Sequence, residues 1–261
     1  MKTPLYDLHI HTNLSVCSSD PEQTVENIVK YAKENGIPTV AITNHVWDCE
    51  LPAGSDFYAQ QPFAHIMKIR EQIPAETHGV RVLVGAESEF ASKHVMLKKE
   101  YRDQLDFLLI PHSHIHMYGL VLPKECTNFA LKAKYLKESF CDLVSKDAAT
   151  AIAHPFAPLG SDPYGVRAIL SSITDDEFAA CFALAKEHDT ALEINGTEML
   201  KVWDVPSALY EYERVFSIAR DCGCIFTMGS DAHAVFALDN IHYSVKMAEK
   251  LGIGEDRFLK I

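Results

Sequence analysis

The stretch PLYDLHIH, residues 4–11, is a short apolar run that closes on two histidines one residue apart. Read as a β-strand, it places His9 and His11 on one side, with Asp7 on the same side one step deeper. Asp7 could there accept a hydrogen bond from an imidazole and fix its tautomer. The same pattern recurs down the chain. Apolar runs rich in β-branched residues fall at 38–43, 81–86, 106–110, 149–153, 190–194 and 224–228, and longer segments of helical period separate them. Seven strand–helix alternations predict a parallel sheet covered by helices. A closed, distorted TIM-like (β/α)7 barrel, one domain over residues 1–261, fits better than an open sheet, because no glycine-rich dinucleotide fingerprint follows the first strand.

The helical segments carry their own punctuation. Residues 21–35 place Val25, Ile28, Val29 and Ala32 on one face and stop at Gly36. Thr174 with Glu177 forms a capping-box pattern that opens a helix running to about His188. Residues 205–222 carry an apolar stripe and end at Gly223. Two stretches, 46–62 and 156–172, are rich in Pro, Gly, Ser and Asp and read as long loops, lids over one end of the barrel.

Composition bounds the function classes. With 24 Lys and Arg against 36 Asp and Glu, the 261 residues carry a net charge of −12, which argues against long nucleic acid as the main partner. Hydrophobic residues at 48% and charged residues at 23% describe an ordinary globular protein. No apolar run approaches the ~18 residues of a membrane span, and the first residues lack the apolar core of a signal peptide. The seven cysteines show no CxxC or zinc-finger spacing and read as free thiols of a cytoplasmic protein. Histidine is the enriched residue, thirteen in all. It is also the commonest metal ligand.

The histidines fall at the carboxyl ends of the predicted strands. Strand one ends in His9 and His11, strand two in Thr43-Asn44-His45, and strand three in Gly85-Ala86-Glu87. Strand four runs into His112, His114 and His116, strand five into His154, strand six into Glu193 and Asn195, and strand seven into Asp231 and His233. One HxH alone is a weak signal. Ligand types at the same end of seven successive strands are a strong one, because that end is the catalytic face of an α/β barrel.

This ordered set resembles the PHP family, named for its polymerase-associated and histidinol-phosphatase members. The resemblance rests on residues 7–12, 42–45, 85–87, 112–116, 153–155 and 229–233. It implies a seven-stranded barrel with two or three divalent ions, Zn, Mn or Fe, and phosphoester hydrolysis. Carried over residue by residue, it implies one ion held by His9, His11, Glu87 and Asp231. Glu87 would bridge to a second ion on His114 and His154, with His116 the next choice after His114. A third would take Asp20, His45 and His233. Asp20-Pro21 reads equally well as a helix N-cap followed by Pro at the first helical position. The second strand end has Asn44 where many relatives carry Asp, an amide in place of a carboxylate.

Such a site would activate a metal-bridging hydroxide for in-line attack on phosphorus, with His233 or His116 assisting the leaving oxygen. The substrate would be a phosphorylated small molecule, of histidinol-phosphate type. Lys93, Arg167 and Lys201 are the candidate phosphate contacts in predicted catalytic-face loops, each read more readily as a solvated surface charge. Glu89 and Glu198 are expected near the same face and solvent-exposed, and Cys17, Cys49 and Trp47 are expected to do no more than line the pocket. The rival readings are a nucleotide or oligonucleotide phosphoesterase of the same family, a metal-dependent amidohydrolase, and a non-catalytic metal-binding barrel. Against the amidohydrolase, no lysine stands at a mid-barrel strand end. The sequence leaves the oligomeric state open.

Overall fold

The computed structural model describes residues 5–261. Seven strands run β1 Asp7–Ile10, β2 Thr39–Ile42, β3 Arg81–Ser88, β4 Phe107–Pro111, β5 Ala151–Ala153, β6 Ala191–Asn195 and β7 Phe226–Gly229. All are parallel and neighbour each other in chain order. The ring closes only at its carboxyl end, where the Asp231 amide donates to the His9 carbonyl at 2.8 Å and the His11 amide to Ala232 at 2.9 Å. The result is a nearly closed, distorted barrel. Its strands are buried almost throughout, as parallel strands covered on both faces must be. The first predicted strand began at Pro4, which lies outside the described residues.

The longer helices pack around this ring: α1 Val25–Glu34, α2 Phe129–Val144, α3 Pro163–Leu170, α4 Asp175–Glu187, α5 Gly196–Val202, α6 Pro206–Cys222 and α7 Ile241–Lys250. α1 buries Val25, Ile28, Val29 and Ala32. The capping box is present, with the Thr174 hydroxyl accepting from the Glu177 amide and the Glu177 carboxylate accepting from the Thr174 amide. α6 ends at Gly223, whose φ of 88° closes the helix in the left-handed region.

Two sequence expectations are corrected. α1 starts at Val25 with Thr24 as its N-cap, so the Asp20-Pro21 pair caps nothing. Asp20 instead ties a turn, accepting from the amides of Glu22 at 2.9 Å and Val235 at 3.0 Å. The Asp-Pro cap signature is realised at Asp162-Pro163, where Asp162 accepts from Gly165 at 2.8 Å and starts α3. The 156–172 stretch is therefore half helix rather than one long loop.

A cluster of phenylalanines beneath the fifth strand end locks an uncommon backbone. Phe156 packs on Phe140 at 4.8 Å and on Phe178 at 4.9 Å between ring centroids. That packing holds Phe156 at φ 59° and His154 at φ 30°, a region non-glycine residues seldom adopt. Asp231 has φ 57°. Two of the three strained residues named here are candidate metal ligands, and strain of this kind costs on the order of 1–3 kcal/mol each.

Candidate metal centre and active site

Each strand end delivers its side chain to one point. His9 Nε2 lies 3.1 Å from His11 Nε2, 3.3 Å from Glu87 Oε2 and 3.5 Å from Asp231 Oδ1. His11 Nε2 lies 3.4 Å from both carboxylates. The other oxygen of Glu87 faces elsewhere, with Oε1 at 3.2 Å from His154 Nε2 and 3.7 Å from His114 Nε2. One buried carboxylate thus stands between two groups of ligand atoms. His11, Cys17, His45 and His233 form a further group whose ligand atoms lie within 4.8 Å of one another.

The donors fit divalent ions. His9, His11, Glu87, His114 and His154 are all buried and Asp231 is half-buried, and carboxylates so placed need compensating charge. Burial opposes ionisation of Glu87, yet the charge of His45 and His9 beside it holds its carboxyl well below the usual range. Burial likewise opposes ionisation of Asp231, and His9 and His11 outweigh it. Two ring nitrogens 3.1 Å apart cannot both carry a proton between them. A shared cation resolves the arrangement.

A second layer of groups orients the rings. His9 Nδ1 lies 2.8 Å from Glu193, His114 Nδ1 lies 2.8 Å from Glu89, and His154 Nδ1 lies 2.7 Å from Ser113 Oγ. In each case Nε2 is left for the centre. Tyr58 donates to Glu89 at 2.6 Å, and Asn195 donates to Asp231 at 3.3 Å. These contacts correct three expectations. Glu89 and Glu198 are buried, not exposed. Asp7 accepts from the Ser230 and His9 amides rather than from an imidazole, so Glu193 holds the position foreseen for it.

A cavity of about 580 Å³ opens over the cluster, a volume suited to a small-molecule ligand. Phe57, Tyr58, Met117 and Leu159 form its apolar side, and Thr197, Glu198 and Lys201 its polar side. The 46–62 stretch does overhang the site, through the helical turn Asp56–Ala59.

Residues 7–197 match the PHP domain family. The chain belongs to that family. Along nearly its whole length this PHP domain is also similar to proteins named "Probable phosphatase". One, from Shewanella frigidimarina, is 25% identical over 260 residues, covering 98% of this chain and 88% of the relative. Another, from Aeromonas hydrophila, is 23% identical over 255 residues, covering 97% and 88%. The fold is similar to the solved structure of histidinol phosphate phosphatase from Lactococcus lactis, complexed with zinc, L-histidinol and phosphate. That match has a TM-score of 0.65 at 17% identity and covers 97% of this chain and 95% of the other.

The sequence-derived candidates divide. His9, His11, His45, Glu87, His114, His154, Asp231 and His233 are brought together. Of the three histidines of the fourth strand, His112 is turned into the core, accepting from the Phe156 amide at 2.9 Å, and is neutral, its pKa pushed down to about 3 by burial and by the charge of His154. His116 stands at the cavity mouth, held down to about 4 by burial and by the charge of His114. Lys201 lines the cavity, ion-paired to Glu198. Lys93 lies outside it, bound to Asp142 at 2.9 Å, and Arg167 is exposed on α3 away from the lining. Asp20 does not join any of the ligand groups. Cys17 does, and the sequence carries no sign of it, because a cysteine six residues past the His9-Ile10-His11 strand end has no motif of its own. Glu89 and Glu193 had a signal, since each lies two residues from a polar strand-end residue of the same parity, Glu87 and Asn195.

Proposed function

We propose that this protein hydrolyses a small phosphomonoester in the cavity over the strand ends, using two or three divalent ions. Membership of the PHP domain family, with relatives named as phosphatases along the full chain, makes it a phosphoesterase-type enzyme. The observation that carries the reading is the Glu87 carboxylate, one oxygen toward His9 and His11 and the other toward His114 and His154. His9, His11, Glu87 and Asp231 would hold one ion, and Glu87, His114 and His154 a second, with His45 and His233 available to a third. Zn, Mn or Fe bound there supplies Lewis-acid charge and lowers the pKa of coordinated water toward ~7.

The chain's own residues do the rest. Glu193 and Glu89 keep the imidazoles of His9 and His114 in one orientation, so the donors need no rearrangement when substrate arrives. Phe57, Tyr58 and Leu159 shield one side of the cavity from water. Lys201 is the cationic side chain among the lining residues, placed to meet a phosphate oxygen. His233, with Nδ1 at 2.9 Å from the Asp231 carbonyl, has Nε2 left for the third ion, and the neutral His116 at the cavity mouth is the residue placed to assist the leaving oxygen. A cavity of this size with one lysine suits a small alcohol phosphate, such as histidinol phosphate, better than a nucleic acid strand.

The test is release of phosphate from a panel comprising histidinol phosphate, an aryl phosphate, an aryl phosphodiester, mononucleotides and a lactam. Protein reloaded with Zn, Mn or Fe is expected to cleave the monoesters, and His9→Ala to lose at least about 100-fold in rate. Metal-loaded protein that cleaves the lactam and no phosphoester would overturn the reading.

A further inference from the structure

We propose that Cys17 is a metal ligand, so that the third ion of this chain sits in a thiolate–imidazole site with Cys17, His45 and His233 as donors, chemically distinct from the two carboxylate sites. The inference rests on the reading of the centre as a divalent-metal cluster, and it assigns one position of that cluster a different chemistry.

The thiol is surrounded by rings. The ligand atoms of Cys17, His11, His45 and His233 lie within 4.8 Å of one another. The His11 ring is 4.2 Å from the His233 ring and 4.6 Å from the His45 ring, centroid to centroid. The thiol has one weak proton, directed to Ser15 Oγ at 3.1 Å, and so satisfies none of the three ring nitrogens around it. His11 keeps a buried ring nitrogen, Nδ1, without a hydrogen-bond partner, and His45, whose Nδ1 faces Glu87 Oε2 at 3.2 Å without a hydrogen bond, has Nε2 left for the sulfur side. A cation bound between the sulfur and the rings accounts for the convergence, and a hydrogen-bond network does not.

His11 itself is committed elsewhere, since its Nε2 faces His9, Glu87 and Asp231. Cys17, His45 and His233 remain. All three line the cavity, so a site with three protein donors would keep a position open to substrate.

The segment that carries Cys17 is fixed rather than free. Asn44 binds the Thr12 amide at 2.8 Å, the buried Gln61 accepts from Ser15 Oγ at 2.8 Å and the Val16 amide at 3.1 Å, and Ser18 Oγ donates to the His233 carbonyl at 2.7 Å. The last contact joins the cysteine loop to the strand end that supplies another donor. A nucleophilic role for the thiol fits less well, because no arginine lines the cavity to cradle a phosphoryl group in transfer.

A thiolate makes this position soft. It favours zinc, whereas sites of imidazole and carboxylate accept Zn, Mn or Fe alike. The test is the absorption spectrum of the cobalt-substituted protein, beside Cys17→Ser and Cys17→Asp, with folding checked by circular dichroism. The wild type is expected to show a near-ultraviolet sulfur-to-cobalt charge-transfer band that both variants lack. Cys17→Ser is also expected to retain one fewer zinc per chain after dialysis. Loss of a direct donor weakens that site at least as much as the ~10–100-fold caused by loss of an outer partner. Cys17→Asp is expected to recover the ion with a smaller preference for zinc over manganese than the wild type. Iodoacetamide is expected to label Cys17 in the metal-free protein and to be blocked by zinc. A wild type that loads cobalt and cleaves phosphoesters without the band overturns the thiolate assignment and leaves the phosphoesterase reading standing. The band without cleavage of any phosphoester upholds the assignment and removes that reading instead.

Discussion

Glu193 shows how one side chain governs several others. Its two oxygens take His9 Nδ1 at 2.8 Å and the His154 amide at 2.7 Å, linking two strand ends that feed different ligand groups. We expect Glu193→Gln to keep the fold but to weaken the ion on His9 by about 10–100-fold, with activity restored by excess metal. Isothermal titration with zinc on metal-free protein checks this, and an unchanged affinity would reduce Glu193 to packing. Asp20 is the contrasting case. Its carboxylate is spent on the amides of Glu22 and Val235. Asp20→Ala is therefore expected to cost some stability and to leave the bound-metal count of the purified protein unchanged. Elemental analysis showing one ion lost would return Asp20 to the ligand set.

At the scale of the element, the strands were legible because burial on both faces demands unbroken apolar runs, and each run in the sequence became a strand within a few residues. The helix cap at Thr174 was legible for a similar reason, since both halves of the box lie within one turn. Asp20-Pro21 misled because a local cap signature says nothing of Thr24, which was free to take the role instead. What joins Cys17 to His233, or Glu193 to His9, is contact across the ring, and no local pattern encodes it. The Thr174 box gives a prediction of its own. The Lys137 ammonium and the Thr174 amide hold the Glu177 carboxyl down at about 2. Because that value lies below the ~4.3 of an unfolded glutamate, the contribution is present above pH ~4 and is lost as pH falls toward ~2. Thr174→Ala is expected to lower unfolding free energy at pH 7 by about 1 kcal/mol in urea titrations, and the difference from wild type to shrink at acid pH. A pH-independent difference would mean that the hydroxyl alone matters. Gly229 presents a stricter constraint. A Cβ there would stand 2.3 Å from His9 Cβ and 2.5 Å from Glu193 Oε1. Gly229→Ala is expected to push β1 from β7 and to abolish tight metal binding, as read by the same zinc titration.

For the molecule as a whole, metal and fold are one equilibrium. The ligands come from β1, the end of β2, β3, and the ends of β4, β5 and β7, so the bound ions tie strands from around the ring. The ring is closed between β1 and β7 by two backbone hydrogen bonds, from Asp231 to His9 and from His11 to Ala232; three of those four residues are candidate ligands and the fourth lies between two of them. Removing the ions leaves Glu87 buried and Asp231 half-buried with only the rings of His9 and His11 between them, and it loosens the seam where the barrel closes. Unfolded chain cannot assemble this donor set, so ions bind the folded state in preference and stabilise it by mass action. At zinc about 100-fold above its dissociation constant, one site contributes ~2.7 kcal/mol. For a chain of this size each kcal/mol moves Tm by roughly 2–4 °C. Dialysis against a chelator is therefore expected to lower Tm by roughly 5–10 °C for each ion lost, and added zinc to restore it in a concentration-dependent way. Hydrogen exchange is expected to rise first at the carboxyl ends of β1 and β7, because that seam has the fewest backbone hydrogen bonds to lose. Equal Tm values with and without chelator, on protein whose metal content has been measured, would separate the cluster from the stability of the barrel.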